Sequence, residues 1–116
     1  MKQSPNYKVY AETAPRPQDW PLLLTKLCEF LRTDYDWSNE VALIRSPVLL
    51  VYGDSDAVHL EHMIELFTIL GGRKQNLETS KARLAILPSL THYDILTSPE
   101  LRSIVNSFLD SPERQK

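Results

Sequence analysis

Pro47-Val48-Leu49-Leu50-Val51-Tyr52-Gly53-Asp54-Ser55-Asp56 is the stretch on which the fold class of this chain turns. From Pro47 to Tyr52 the side chains are aliphatic or β-branched with no polar alternation, the pattern of a strand covered on both faces of a parallel sheet. Gly53 ends the run, and the polar residues after it read as a turn at the strand's carboxyl end.

Downstream of that turn, Leu60, Met63, Ile64, Phe67 and Leu70 recur at helical spacing, and Gly71-Gly72 supply a glycine stop. Arg83 to Leu87 reads as a second strand halted by Pro88. Ser98-Pro99 opens a last helix, with a capping serine and proline in the first helical position, whose apolar face is Leu101, Ile104, Val105, Phe108 and Leu109. Strand, helix, strand, helix in that order implies a right-handed crossover and a parallel pair. The expected class is α/β, with two parallel strands in a βαβα unit preceded by one or two helices.

Upstream, Trp20, Leu23, Leu24, Leu27 and Leu31 mark one face of a helix from Asp19 to about Arg32, with Asp19 as N-cap and Pro21 tolerated in the first turn. Ser38 is expected to cap a short second helix running to about Ile44 and stopped by Pro47. Residues 1–19, with Pro5, Pro15 and Pro17 among polar neighbours, read as an extended connector with little regular structure. Arg73 to Lys81 reads as a polar surface loop and 111–116 as a polar tail. Cys28 shares a helix face with Leu24 and Leu31 and reads as a packing residue.

The chain has 116 residues, 42% hydrophobic and 24% charged, the balance of an ordinary globular domain. A net charge of -2 with scattered Lys and Arg argues against nucleic acid as a partner. Its apolar runs fall far short of the roughly 20 residues that span a bilayer, and the amino terminus has no apolar segment of the secretory type. A single cysteine forms no internal disulfide and fits a reducing compartment, so the expected setting is cytoplasmic.

Chemistry in open α/β sheets gathers at the carboxyl ends of the strands. Here those ends are Gly53-Asp54-Ser55-Asp56 and Pro88-Ser89-Leu90-Thr91-His92. Adjacent parallel strands would set the two loops side by side, bringing a carboxylate from one within reach of the imidazole of the other. Asp56 competes with Asp54 for the acidic role. Each carboxylate has a structural reading as a turn-forming residue, and His92 one as a hydrogen-bonded surface histidine.

The run Pro47-Val-Leu-Leu-Val-Tyr-Gly-Asp-Ser-Asp56, followed by Leu87-Pro-Ser-Leu-Thr-His92-Tyr-Asp, resembles the end of an α/β-hydrolase, over roughly residues 36–110. The resemblance implies a partial α/β-hydrolase sheet, with Asp56 as triad acid and His92 as base, and an ester-type bond as the commonest target. It divides the chain into 1–35, similar to the end of a lid segment; 36–110, the carboxyl-terminal part of the core; and the tail 111–116. The family usually carries a small residue, often Gly, before the histidine, where this chain has Thr91.

In family order the nucleophile, on a G-x-S-x-G elbow, precedes the acid and the base, and no such elbow occurs here. Ser55 lies between two carboxylates that oppose alkoxide character and is rejected as nucleophile. The expectation is therefore a site inactive alone, taking a small-molecule substrate only when an amino-terminal part with the nucleophile completes it. Two strands also make a poor sheet, which points to a homo-oligomer or a complementing chain. The alternative is a non-catalytic module that associates through its sheet edge.

A phosphatase reading of Asp54-Ser55-Asp56 fails because Gly53 precedes the aspartates and no later lysine and acidic pair complete the set. No cofactor and no metal is expected: His59, His62 and Glu65 share a helix, but neither H-E-x-x-H nor a cysteine ligand accompanies them. Tyr35, Trp37 and Tyr93 are candidates for lining a substrate crevice, and aromatic packing explains them equally well.

Overall fold

A computed structural model describes residues 4–73 and 80–111. Residues 74–79 of the expected loop and 112–116 of the expected tail lie outside the described residues. The chain divides into two units, Met1–Asp36 and Trp37–Lys116.

The first unit corrects the reading of residues 1–19 as an extended connector. Helix α1 spans Pro5–Thr13. Ser4 caps it by accepting the Tyr7 N–H at 3.1 Å, and Pro5 sits in the first turn, where its missing N–H costs nothing. A short 3-10 turn, Pro17–Asp19, leads into helix α2, Trp20–Leu31. Tyr7 and Tyr10, one turn apart on α1, pack on Trp20 with ring centroids 5.4 and 5.3 Å away. The Asp19 side chain accepts no capping N–H from α2 and instead pairs with Arg16 at 3.0 Å. No residue of α2 is buried, Leu31 is 75% exposed, and Cys28 lies on the exposed surface rather than in a packed face.

In the second unit, α3 spans Ser38–Ala42 with Trp37 as N-cap and no side-chain capping bond, so Ser38 is the first helical residue and not the cap. Strand β1 follows at Val48–Gly53, helix α4 at Leu60–Ile69, strand β2 at Ala82–Leu87 and helix α5 at Pro99–Leu109. The two strands are parallel, paired from Val48 with Ala82 to Gly53 with Leu87. The unit is mixed α/β, in the expected βαβα order.

The helix ends follow the residues that mark them. Gly71 adopts φ 88°, its N–H bonds to the Thr68 carbonyl at 3.0 Å, and the Gly72 N–H reaches the Phe67 carbonyl at 2.8 Å. That pair of bonds is a Schellman stop, which needs a left-handed residue after the helix. Ser98 caps α5 by accepting the Leu101 N–H at 3.4 Å, with Pro99 in the first turn, as the sequence predicts.

The core is small. Met63, Ala82, Leu87 and Ile95 are the buried hydrophobic residues among those described, and from Val48 to Tyr52 strand β1 is only half-buried. A strand composed for cover on both faces is thus incompletely covered.

The two outer edges of the sheet are not equivalent. Val48 N–H bonds to the Lys81 carbonyl and Asp54 N–H to the Leu87 carbonyl, each at 2.9 Å. Alternate residues of a parallel strand bond to the same neighbour, so Val48, Leu50 and Tyr52 face β2, while the main-chain groups of Leu49 and Val51 face outward. On β2 the outward residues include Ala82, and there Arg83 Nη1 folds back to donate to the carbonyls of Ala82 at 2.9 Å and Ser80 at 2.7 Å. The guanidinium thereby occupies acceptors that an added strand would need, a charged guard on an edge. Among the described residues, β1 carries no such guard.

No helix among the described residues is long and apolar enough to cross a membrane. Met63, 2% exposed, is the most deeply buried side chain of α4. Met63→Ala should destabilise the chain by about 2–5 kcal/mol, read as a lower urea midpoint at unchanged slope.

Candidate functional site

Strands that run parallel and in register leave the sheet at the same end, so the turns after Gly53 and after Leu87 emerge side by side. Main-chain bonds knit them: Asp54 N–H to the Leu87 carbonyl at 2.9 Å and Ser55 N–H to the Leu90 carbonyl at 3.1 Å. This approach requires glycine at 53, because a Cβ there would lie 2.0 Å from the Leu90 oxygen.

On this platform Asp56 and His92 meet, with His92 Nδ1 3.0 Å from Asp56 Oδ2. The other carboxylate oxygen, Oδ1, accepts the Val58 N–H at 2.9 Å, closing an Asx turn. Turn formation and contact with the imidazole are therefore not alternatives: one carboxylate does both, through different oxygens. The Asp56 side chain is 3% exposed, whereas that of His92 is 66% exposed.

The Val58 N–H, foremost, together with the His92 contact, holds the Asp56 carboxyl below its ordinary pKa, against the opposing effect of burial. A carboxylate is an acceptor only, so the proton of the 3.0 Å bond belongs on Nδ1, which in a neutral ring leaves the lone pair on Nε2. Tyr52 lies near the same charge. Burial first, and the Asp56 charge second, push its phenol up.

The loop around His92 is shaped by Thr91. Its hydroxyl donates to Asp94 Oδ2 at 2.7 Å and accepts the N–H groups of Tyr93 and Asp94, each at 3.3 Å. A 3-10 turn, Asp94–Thr97, follows. Thr91 thus uses its hydroxyl to hold the turn, a role that the spacing alone did not reveal.

The other candidates fall elsewhere. Asp54 does not meet the imidazole; it accepts the Ser89 N–H at 2.8 Å and the Ser55 hydroxyl at 3.1 Å. That second bond directs the Ser55 hydroxyl to Asp54 and not to the imidazole. Tyr93 sits beside His92 with the rings edge-on, centroids 6.0 Å apart. Tyr35 stacks on Phe30 in the first unit. His62 Nδ1 and Glu65 Oε2 are 4.0 Å apart, and no group of three or more His, Cys, Asp or Glu among the described residues could hold a metal.

Compared with known proteins, the chain matches no family model, no curated protein and no solved structure.

The depressed pKa of Asp56 makes stability depend on pH in a definite direction. A carboxyl that ionises more readily folded than unfolded adds stability fully present above the unfolded value, about 3.9, and lost as pH falls through the lower folded value. Urea unfolding between about pH 2 and 6 should therefore show a shallower acid loss in Asp56→Asn than in the wild type. Parallel curves would show that Asp56 contributes nothing to the acid limb.

Proposed function

We propose that the chain carries the acid and base of an α/β-hydrolase-type triad, Asp56 and His92, for a nucleophile supplied by other sequence. The contact of 3.0 Å between His92 Nδ1 and a 3% exposed carboxylate carries the reading. Such a pair fixes the imidazole tautomer with Nε2 ready to accept a proton, and stabilises the imidazolium that forms when it does. The proposed reaction is hydrolysis of an ester-type bond in a small molecule. His92 takes the proton of the attacking hydroxyl and returns it to the leaving group, while Asp56 stays ionised. The lone Cys28 supports a cytoplasmic setting.

The chain alone should show no triad-type turnover, because orienting and moving protons does not replace a nucleophile on a strained elbow with its oxyanion donors. With p-nitrophenyl acetate, burst kinetics abolished by His92→Ala in the isolated chain would contradict the proposal. Supplying an amino-terminal hydrolase segment that carries the elbow should yield activity, which Asp56→Asn and His92→Ala each lower by roughly 10²–10⁴.

The unguarded outer edge of β1 favours a second reading, in which a strand from a second copy or a complementing chain pairs there. In this reading the chain serves as an association module through the sheet edge, with or without chemistry. Val51→Pro removes an N–H that the β1–β2 ladder does not use, so it should abolish association while sparing the fold. Leu50→Pro removes one that the ladder does use and should unfold the sheet. Light scattering with circular dichroism distinguishes the two. An unassociated wild-type chain with cooperative unfolding at micromolar concentration would contradict the association.

A further inference from the structure

Ser89 has a backbone conformation that its side chain does not favour. Its φ is 59°, in the left-handed region, one residue after Pro88 in the turn from Leu87 to Leu90. Proline second and a left-handed residue third is the layout of a type II turn, whose third position ordinarily belongs to Gly or Asn. Something must hold a serine there.

The Asp54 carboxylate does so from the opposite loop. Its Oδ1 accepts the Ser89 N–H at 2.8 Å, a charge-assisted bond across 35 positions of sequence. The same residue's N–H bonds to the Leu87 carbonyl at 2.9 Å, at the start of the same turn. Asp54 therefore grips both sides of Pro88, with its main chain before it and its side chain after. Among the described residues, two side chains bridge the loops: Asp56 to His92, and Asp54 to Ser89. The Thr91 hydroxyl, by contrast, bonds within the loop that carries His92.

From Ser89 the chain reaches His92 in three steps. The direction in which it leaves Ser89 sets where the imidazole lies over Asp56, and Leu90, pressed against Gly53, permits little compensation. We propose that Asp54 is the positioning residue for His92, holding Ser89 in its left-handed conformation so that the turn delivers the imidazole to Asp56. The inference rests on the reading of Asp56 and His92 as an acid and base pair. It assigns to the two aspartates of Gly53-Asp54-Ser55-Asp56 separate tasks: Asp56 binds the ring, and Asp54 sets the loop that carries it.

The test is hydrogen exchange, followed by NMR on the full-length chain, at the Ser89 amide and the His92 Nδ1–H. Loss of one charge-assisted hydrogen bond corresponds to roughly a ten- to hundredfold change in an opening equilibrium. Asp54→Ala should therefore accelerate exchange at both sites by about that factor. Asp54→Asn, which keeps an acceptor oxygen without the charge, should fall between the wild type and Asp54→Ala and guards against a variant that fails to fold. Ser89→Gly, which adopts φ 59° without a Cβ penalty, should restore His92 protection in the Asp54→Ala background. A merely structural loss would not be recovered by that second change. His92 protection unchanged in Asp54→Ala, or not restored by Ser89→Gly, would overturn the inference while leaving the acid and base pair standing. A wild-type ring with no protected Nδ1–H would instead remove the pair itself.

Discussion

Every feature of the site depends on the in-register parallel pairing of Val48–Gly53 with Ala82–Leu87, which obliges both strands to release their chains at one end of the sheet. Two main-chain bonds then join the emerging turns, and glycine at 53 lets the Leu90 carbonyl come closer than any Cβ would allow. A carboxylate and an imidazole far apart in sequence are thus neighbours by topology. A slip of the register by one residue would rotate the ladder groups of β1 away from β2 and separate the loops.

The same two strands expose an imbalance. Val48 to Tyr52 has the composition of an interior strand, yet it is half-buried, and few hydrophobic side chains among the described residues are buried. At about 25 cal/mol per Å² of apolar surface removed from water, partial cover forgoes much of the stabilisation that such a strand can supply. The outer edges respond differently. Arg83 spends two hydrogen bonds on the carbonyls of Ser80 and Ala82, whereas Leu49 and Val51 direct their main-chain groups away from β2. Growth of the sheet, whatever supplies the strand, is physically easier beside β1.

The strands, α4 and α5 were legible in the sequence because each rests on a strong local signal: an apolar run, a helical period, Gly71-Gly72, Ser98-Pro99. The expected meeting of Asp56 with His92 rested instead on the order of the strands and on the spacing that the resemblance supplied, with Asp54 left as a competitor. What escaped was either misjudged punctuation or long-range bonding. Ser4-Pro5 opens α1 with the same chemistry as Ser98-Pro99, but the polar residues around it concealed a helix whose apolar contacts are aromatic, from Tyr7 and Tyr10 to Trp20. The exposure of Cys28 could not be read from helical phase, since phase gives a face and not what covers it. The work of Asp54 and Thr91 depends on partners that only the folded turns bring within reach.

The pairing of Asp56 with His92 is tested most directly by the tautomer of the His92 ring, observed by nitrogen NMR of the imidazole in the wild type and in Asp56→Asn. In the neutral ring the expected wild-type tautomer is Nδ1–H, because Oδ2 of Asp56 lies 3.0 Å from Nδ1. Substitution by Asn should weaken that preference, since the charge that imposes it is gone. A wild-type ring in the Nε2–H form, unchanged by the substitution, would contradict the pairing of Asp56 with His92 and the functional reading built on it.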